Sequence, residues 1–454
     1  MELTPRALIS VIAIGIVAIG CDRDAVLSTE RRQVIAGEME EVLLDELHAW
    51  YPLVVDTLHG GYLSRFTYDW KPEEAQDKMI VTQARHVWTA SKAAMRYLDD
   101  PRYAVAAEHG YRFLRDVMWD SLYGGFYNLV QRDGTPIPDA DGRLMKQAYG
   151  NAFGIYALAA YYGATHEAEA LNLARSAFNW LEEHSHDPVS GGYYQFMGQN
   201  GTSYSGGYGS VPPKDQNSSI HLLEAFTELY TVWPDPLLKE RLQEMLVLVR
   251  DTMTSDRGYL RLFFDKHWTP VSYRDSSRAV REANYHLDHV SFGHDVETAY
   301  LMLEAEEALS GEASEETETI ARMMVDHALA YGWDRKYGGF YDRGYYMDGE
   351  RPAIILATKN WWAQAEALNT LSLMSERYPE SGYLRRFVHE WMYVQENLID
   401  HDRGGWYESG LREDPEAELG LKAHIWKGNY HTARSLMNSI DRLRAVDNIS
   451  LPAL

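Results

Sequence analysis

Histidines recur at comparable places in widely separated parts of the chain, as His221, His294 and His431, each close to amides or carboxylates. Imidazole titrates near neutrality. Two such rings on opposite sides of a flat enediolate would let one remove a proton beside a carbonyl and the other return it to the opposite face. Asn217 precedes His221 by four residues and Glu297 follows His294 by three, spacings that put each pair on one face of a helix. Glu297 is thereby expected to hold His294 in one tautomer. Arg65 keeps its charge and presents directed donors, which suits a developing oxyanion. A single histidine of this kind is more often a surface or satisfied core residue, so the reading rests on the recurrence.

Tyr149, Phe153, Trp362 and Trp426 offer flat faces of the kind on which a neutral sugar ring rests, although most helical aromatics are core. With Asn217 and the polar residues Asn151 and Glu366, the residues Tyr149, Trp362 and Trp426 form the expected substrate contacts. No metal and no cofactor is expected. His286, Asp288, His289 and His294 crowd one short stretch, but neither HExxH nor another recognisable ligand spacing accompanies them.

These groups need elements to bring them together, and the chain carries a repeat that would do so. A glycine pair followed by an aromatic occurs as Gly60-Gly61-Tyr62, Gly124-Gly125-Phe126, Gly191-Gly192-Tyr193, Gly338-Gly339-Phe340 and Gly404-Gly405-Trp406, with a degenerate fourth copy at Arg257-Gly258-Tyr259. Between copies lie two stretches with apolar residues at three- and four-residue steps, as at 82–98 and 102–118, so each unit is a helical hairpin. The stretch 30–55 before the first copy and 429–444 after the last make the sixth hairpin between them. The predicted fold is all-α: an (α/α)6 barrel of six helical hairpins, closed by pairing the N- and C-terminal helices. The mouth is formed by the starts of the inner helices, where the candidate residues fall. The stretch 198–213, with five glycines, is the longest expected loop and a candidate lid.

The 454 residues include 13 Trp, 31 Tyr and 12 Phe, ample for a large core. A net charge of -24 makes nucleic acid a poor partner and leaves membrane contact to an anchor. Such an anchor is expected. The apolar stretch 7–19 follows Arg6 and runs into Cys21, the one cysteine, which reads as a lipoprotein signal segment (1–21) ending at a lipidated Cys21. A short tether (22–29) would then lead to one catalytic domain (30–454), exported and facing the periplasm or cell exterior.

Taken together, several segments resemble the N-acylglucosamine 2-epimerase superfamily, and within it the cellobiose 2-epimerases. They are Gly60 to Arg65, Gln83-Ala84-Arg85, Tyr149 to Phe153, Asn217 to Ala225, Gly293 to Glu297, Trp361 to Ala367 and Lys427 to His431. The resemblance implies deprotonation and reprotonation at C2 of the reducing-end residue of a β-1,4-linked disaccharide, without metal, with His294 and His431 as the acid/base pair. It further implies ring opening aided by His221, a reacting end held by Arg65 and Glu297, hydroxyls bound by Asn217 and a ring stacked on Trp362 and Trp426. Isomerisation of a monosaccharide such as mannose, or epimerisation of an N-acylhexosamine, would use the same enediolate. A glycoside hydrolase would need two acids flanking the bond, and beyond Asp295 and Glu297 on one helix only Glu366 offers one. A glycan-binding lipoprotein would keep the aromatics without needing all three histidines.

Overall fold

The computed structural model describes residues 28–347 and 349–445. Cys21, the apolar stretch before it and most of the expected tether lie outside these residues. Among the described residues no helix is long and apolar enough to cross a membrane.

The described residues form thirteen α-helices, twelve of which follow the repeat. The inner ring is α2 (Ile80–Arg96), α4 (Ala148–Thr165), α6 (Gln216–Val232), α9 (Phe292–Ser310), α11 (Trp361–Arg377) and α13 (Tyr430–Ala445), each packed on the next and α13 back on α2. The outer ring is α1 (Thr29–Trp50), α3 (Pro101–Phe113), α5 (Ala168–His184), α7 (Pro236–Val247), α10 (Glu315–Tyr331) and α12 (Tyr383–Asn397). The N-terminal α1 packs on the C-terminal α13, so the termini close the barrel as the sequence predicts. Helix α1 stops at Trp50 rather than continuing to residue 55, because Pro52 disfavours helical backbone at Tyr51, which is extended at φ -110° and ψ 127°. An additional amphipathic helix, α8 (Arg278–Asp288), is inserted in the fourth unit.

Helix starts differ in how they are capped. Of the outer helices, α1, α3, α7 and α10 are capped by side chains and α5 and α12 are not: Ser28 accepts from Arg31 N–H, Asp100 from Arg102 N–H ahead of Pro101, and Asp235 and Ser314 do the same for α7 and α10. Of the inner helices, α6 is capped by Asp215, which accepts from Ser218 N–H. Helices α2, α4, α9 and α11 have no side-chain cap and begin beside short antiparallel ladders. First-turn side chains at the mouth are thus free for other contacts.

Four of the six loops, the degenerate fourth among them, are braced by the following inner helix. Gln83 accepts from Tyr62 N–H at 2.8 Å, Asn151 from Phe126 N–H at 2.9 Å, Asp295 from Leu260 N–H at 2.8 Å and Gln364 from Phe340 N–H at 2.6 Å. The glycine pairs have positive φ, and a Cβ at Gly192 would lie 2.3 Å from the Trp268 ring, so these turns need glycine. Below each loop a buried lysine ends on an aspartate that caps the loop: Lys78–Asp56, Lys146–Asp120, Lys214–Asp187, Lys359–Asp334 and Lys422–Asp400, at 2.6 to 2.9 Å. In the degenerate fourth unit both partners are gone together, with Ser255 at the aspartate's place and Val290 at the lysine's.

Two departures from the predicted layout concern loops. The irregular segments 51–77 and 398–429 are both longer than 198–213. Within the latter, Tyr208 bridges to Val211 and donates its hydroxyl to Asp139, which ties the loop down.

On α12, fully buried Glu390 accepts one bond, from Gly339 N–H at 3.0 Å, and burial pushes its carboxyl up to about 8 against the pull of Lys359. A folded-state value above the ordinary 4.5 means that the native chain holds a proton the unfolded chain has released. This group's contribution is therefore complete below about pH 4.5 and is lost as pH rises to about 8. Glu390→Gln is expected to raise the melting temperature markedly at pH 8.5 and little at pH 5. Equal shifts at both pH values would count against this assignment.

Candidate active site

Inner-helix starts converge as the topology requires, and three histidines meet there with a layer of buried carboxylates behind them. On α13, His431 and Arg434 share a face three residues apart; on α11, Trp362 and Glu366 do so at four. Helix α9 brings His294 and Glu297, α6 brings His221 and Glu224, α4 brings Tyr149 and Phe153, and α2 brings Arg85.

The half-buried Trp362 indole touches both His294, at 4.7 Å between ring centroids, and His431, at 5.9 Å. His431 points Nδ1 at Glu366 Oε1, 2.5 Å away. A carboxylate there requires Nδ1 to carry the hydrogen, which leaves Nε2 unprotonated as a base. His221 is held likewise, its Nδ1 2.8 Å from Glu224 Oε2. At His294 the partner is different. Its Nδ1 lies 2.7 Å from the Ser291 hydroxyl, which donates or accepts with equal ease, so this ring can take either tautomer. The sequence reading gave that role to Glu297, but Glu297 faces inward and accepts from Arg434 Nη2 at 2.9 Å. Residue Ser291 is the uncapped N-cap position of α9, which is why its hydroxyl is available.

Burial, reinforced by the other histidines around His294 and by Arg85 and Arg434 around His431, holds both rings well below the ordinary value of 6.5. Both rings are therefore neutral near pH 7. Burial raises Glu224 but Arg434 and His221 outweigh it and bring it down to about 2, whereas burial and Glu366 raise Glu297 to about 7. Glu366 is itself raised by burial despite Arg434. Glu297, Glu366 and His431 each place one ligand atom within 4.8 Å of the others, a spacing a cation could bridge. Arg434 Nη2 already donates to both carboxylates, so the positive charge of that spot is supplied by the chain itself.

Not every expected residue joins this centre. Trp426, 49% exposed, lies at the rim with its ring 6.4 Å from Tyr149. Asn217 is half-buried at the start of α6. Asn151 is occupied by the fold, since its Oδ1 accepts from Phe126 N–H and its Nδ2 donates to the Gln147 carbonyl. Arg65 sits in the 51–77 segment and pairs with Glu73 at 2.9 Å, its side chain 38% exposed. Glu366 is fully buried and orients His431 from behind. Of the crowded residues near α8, Asp288 accepts from Tyr273 N–H and the Tyr345 hydroxyl, and His289 bonds the Tyr285 carbonyl.

Residues given no role from sequence complete the site. Arg85 is buried, donates to the Tyr149 hydroxyl at 3.2 Å, stacks over Phe153 at 4.4 Å and has no carboxylate partner among the described residues. Glu224 and Arg434 repeat the three-residue step of His294 and Glu297, as His221 to Glu224 and His431 to Arg434, and that step was the available signal.

The family model of N-acylglucosamine 2-epimerase (GlcNAc 2-epimerase) matches residues 61–435. A cellobiose 2-epimerase from Bacteroides fragilis is 29% identical over 414 residues, 88% of this chain and 97% of that one. A D-mannose isomerase from Marinomonas mediterranea is 24% identical over 392 residues, 84% and 91% of the two chains. The solved cellobiose 2-epimerase of Spirochaeta thermophila superposes with a TM-score of 0.80 at 27% identity, covering 92% of this chain and 99% of that one. The chain belongs to the N-acylglucosamine 2-epimerase family and is an enzyme of the carbohydrate epimerase and isomerase class.

Proposed function

We propose that this enzyme inverts C2 of the reducing-end residue of a β-1,4-linked disaccharide. The observation that carries the reading is the pair of histidines against one indole, one ring backed by a carboxylate and the other by a hydroxyl. His221 assists ring opening. The neutral His431 Nε2 then takes the C2 proton, and the C2–H electrons move into the C1 carbonyl to give an enediolate. Arg85, a buried cation with no carboxylate of its own, offsets the charge on the oxyanion, a role that the solvent-facing Arg65–Glu73 pair fills less well. That charge raises the proton affinity of His294, which takes up a proton from solvent and delivers it to the opposite face of C2. His431 then releases the abstracted proton to solvent, so both rings return to the neutral state. Trp362 and Trp426 stack on the sugar, and Asn217 binds its hydroxyls.

The disaccharide is favoured by the cellobiose 2-epimerases among the relatives at 27% to 29% identity. Isomerisation of mannose is the second reading, supported by the D-mannose isomerase relatives, and differs only in returning the proton to C1. Incubation with cellobiose, mannobiose or mannose in heavy water separates the two. Deuterium at C2 of an epimer is expected with the disaccharides. Deuterium at C1 of a ketose would replace this reading by the second, and no incorporation into any of them would overturn both.

A further inference from the structure

Arg434 takes no part in the proposed reaction. It is 3% exposed and surrounded by side chains from every neighbouring inner helix. Its Nη1 donates to Glu224 and to the Tyr430 hydroxyl; its Nη2 donates to Glu297 at 2.9 Å and Glu366 at 2.6 Å. Its planar face lies over the rings of Tyr430, at 4.4 Å, and Tyr300, at 5.3 Å. The titratable and charged groups facing it are Arg85 on α2, Tyr156 on α4, His221 and Glu224 on α6, Glu297, Tyr300 and Glu304 on α9, Glu366 on α11, and Tyr430 and His431 on its own helix. Two of its three carboxylates are those that hold His221 and His431 by Nδ1.

We propose that Arg434 is the positioning residue of this site: by binding Glu224, Glu297 and Glu366 at once it keeps the carboxylates behind His221 and His431 as acceptors, and so fixes both rings in the Nδ1–H tautomer. The proposal rests on the histidine reading above. Three carboxylates packed together away from water cannot all stay ionised without a cation, and a proton is the alternative to the guanidinium. A protonated Glu366 would donate its O–H to His431 Nδ1. The ring would then carry its hydrogen on Nε2, and no base would face the substrate. Lysine cannot replace the fork, because one ammonium is a point charge while the planar guanidinium spans Glu224 on one nitrogen and Glu297 with Glu366 on the other.

The test uses Arg434→Met and Arg434→Lys, each checked for native far-UV circular dichroism and melting. Histidine tautomers are read by 15N NMR without substrate, with His431→Asn supplying the assignment. For Arg434→Met the expected results are a kcat at least about 100-fold lower with KM within about threefold, since the residue does not face the substrate, and an Nε2–H signal for His431. For Arg434→Lys the expectation is an Nδ1–H His431, a kcat about tenfold lower and an acid limb of the pH profile moved upward. A folded Arg434→Met with unchanged tautomers and a kcat within threefold of the parent overturns the proposal. Should the methionine variant not fold, a lysine variant with unaltered kcat and pH profile overturns it. The tautomer measurement needs no turnover, so a parent protein inactive on every sugar would sink the reaction while leaving this inference to be judged by NMR.

Discussion

His431→Asn and His294→Asn are each expected to lower kcat for epimerisation by about 10²- to 10⁴-fold, the usual worth of a positioned general acid or base, with melting close to the parent. In His431→Asn the amide keeps a donor directed toward Glu366, so the carboxylate layer retains a partner. In His294→Asn the Ser291 hydroxyl can turn to either amide atom. A two-base site also makes a sharper prediction. Each variant loses one face of the enediolate only, so in heavy water each should still exchange C2 hydrogen in one epimer, and the two variants should do so in opposite epimers. Exchange in both epimers by either variant would indicate a single base. Activity in both variants within tenfold of the parent would refute the assignment of the pair.

The second large effect concerns stability. Lys146 and Asp120 form a buried pair, 0% and 2% exposed, in which Lys146 donates to Asp120 at 2.9 Å and to the carbonyls of Gly124 and Gln199. Replacing the lysine alone with valine leaves a carboxylate away from water with no cation, and is expected to cost about 3–5 kcal/mol. The fourth unit shows that the fold tolerates losing both, since Ser255 and Val290 occupy the equivalent places. Asp120→Ser combined with Lys146→Val should therefore be less destabilised than Lys146→Val alone. A residual cost remains, because Asp120 also accepts from Leu122 and Tyr123 N–H. Chemical denaturation of the parent, both single variants and the double variant measures the coupling directly. Additive losses would mean that the pair contributes as two independent hydrogen-bonding groups.

The relation of α8 to the fourth unit illustrates what the repeat hides. Where the glycine pair and the lysine–aspartate pair degrade, the chain inserts 11 helical residues, and the Tyr285 carbonyl and Asp288 take over local hydrogen bonding through His289, Tyr273 and Tyr345. Degeneracy at Arg257-Gly258 was visible in the sequence, but the replacement was not, because α8 is amphipathic without being tied to the repeat's spacing.

The ring of hairpins was legible because its signals are local. Apolar residues at helical steps, glycine pairs at loop tips and the matching halves at the two termini are all properties of short windows. The candidate histidines were legible for the same reason, each falling at the start of a predicted inner helix. Asn151, by contrast, was read as a sugar contact from its place at the mouth, yet its amide braces Phe126, a partner 25 residues away. Glu297 was assigned to His294, its neighbour on the helix, and binds Arg434, 137 residues away. Position along one helix fixes which face a side chain shares but not what another helix brings to that face. The sequence alone therefore determined the barrel and the histidines. Only the tertiary structure decided which carboxylate or hydroxyl stands behind each ring, because those partners lie on different helices of a closed ring and meet when it closes.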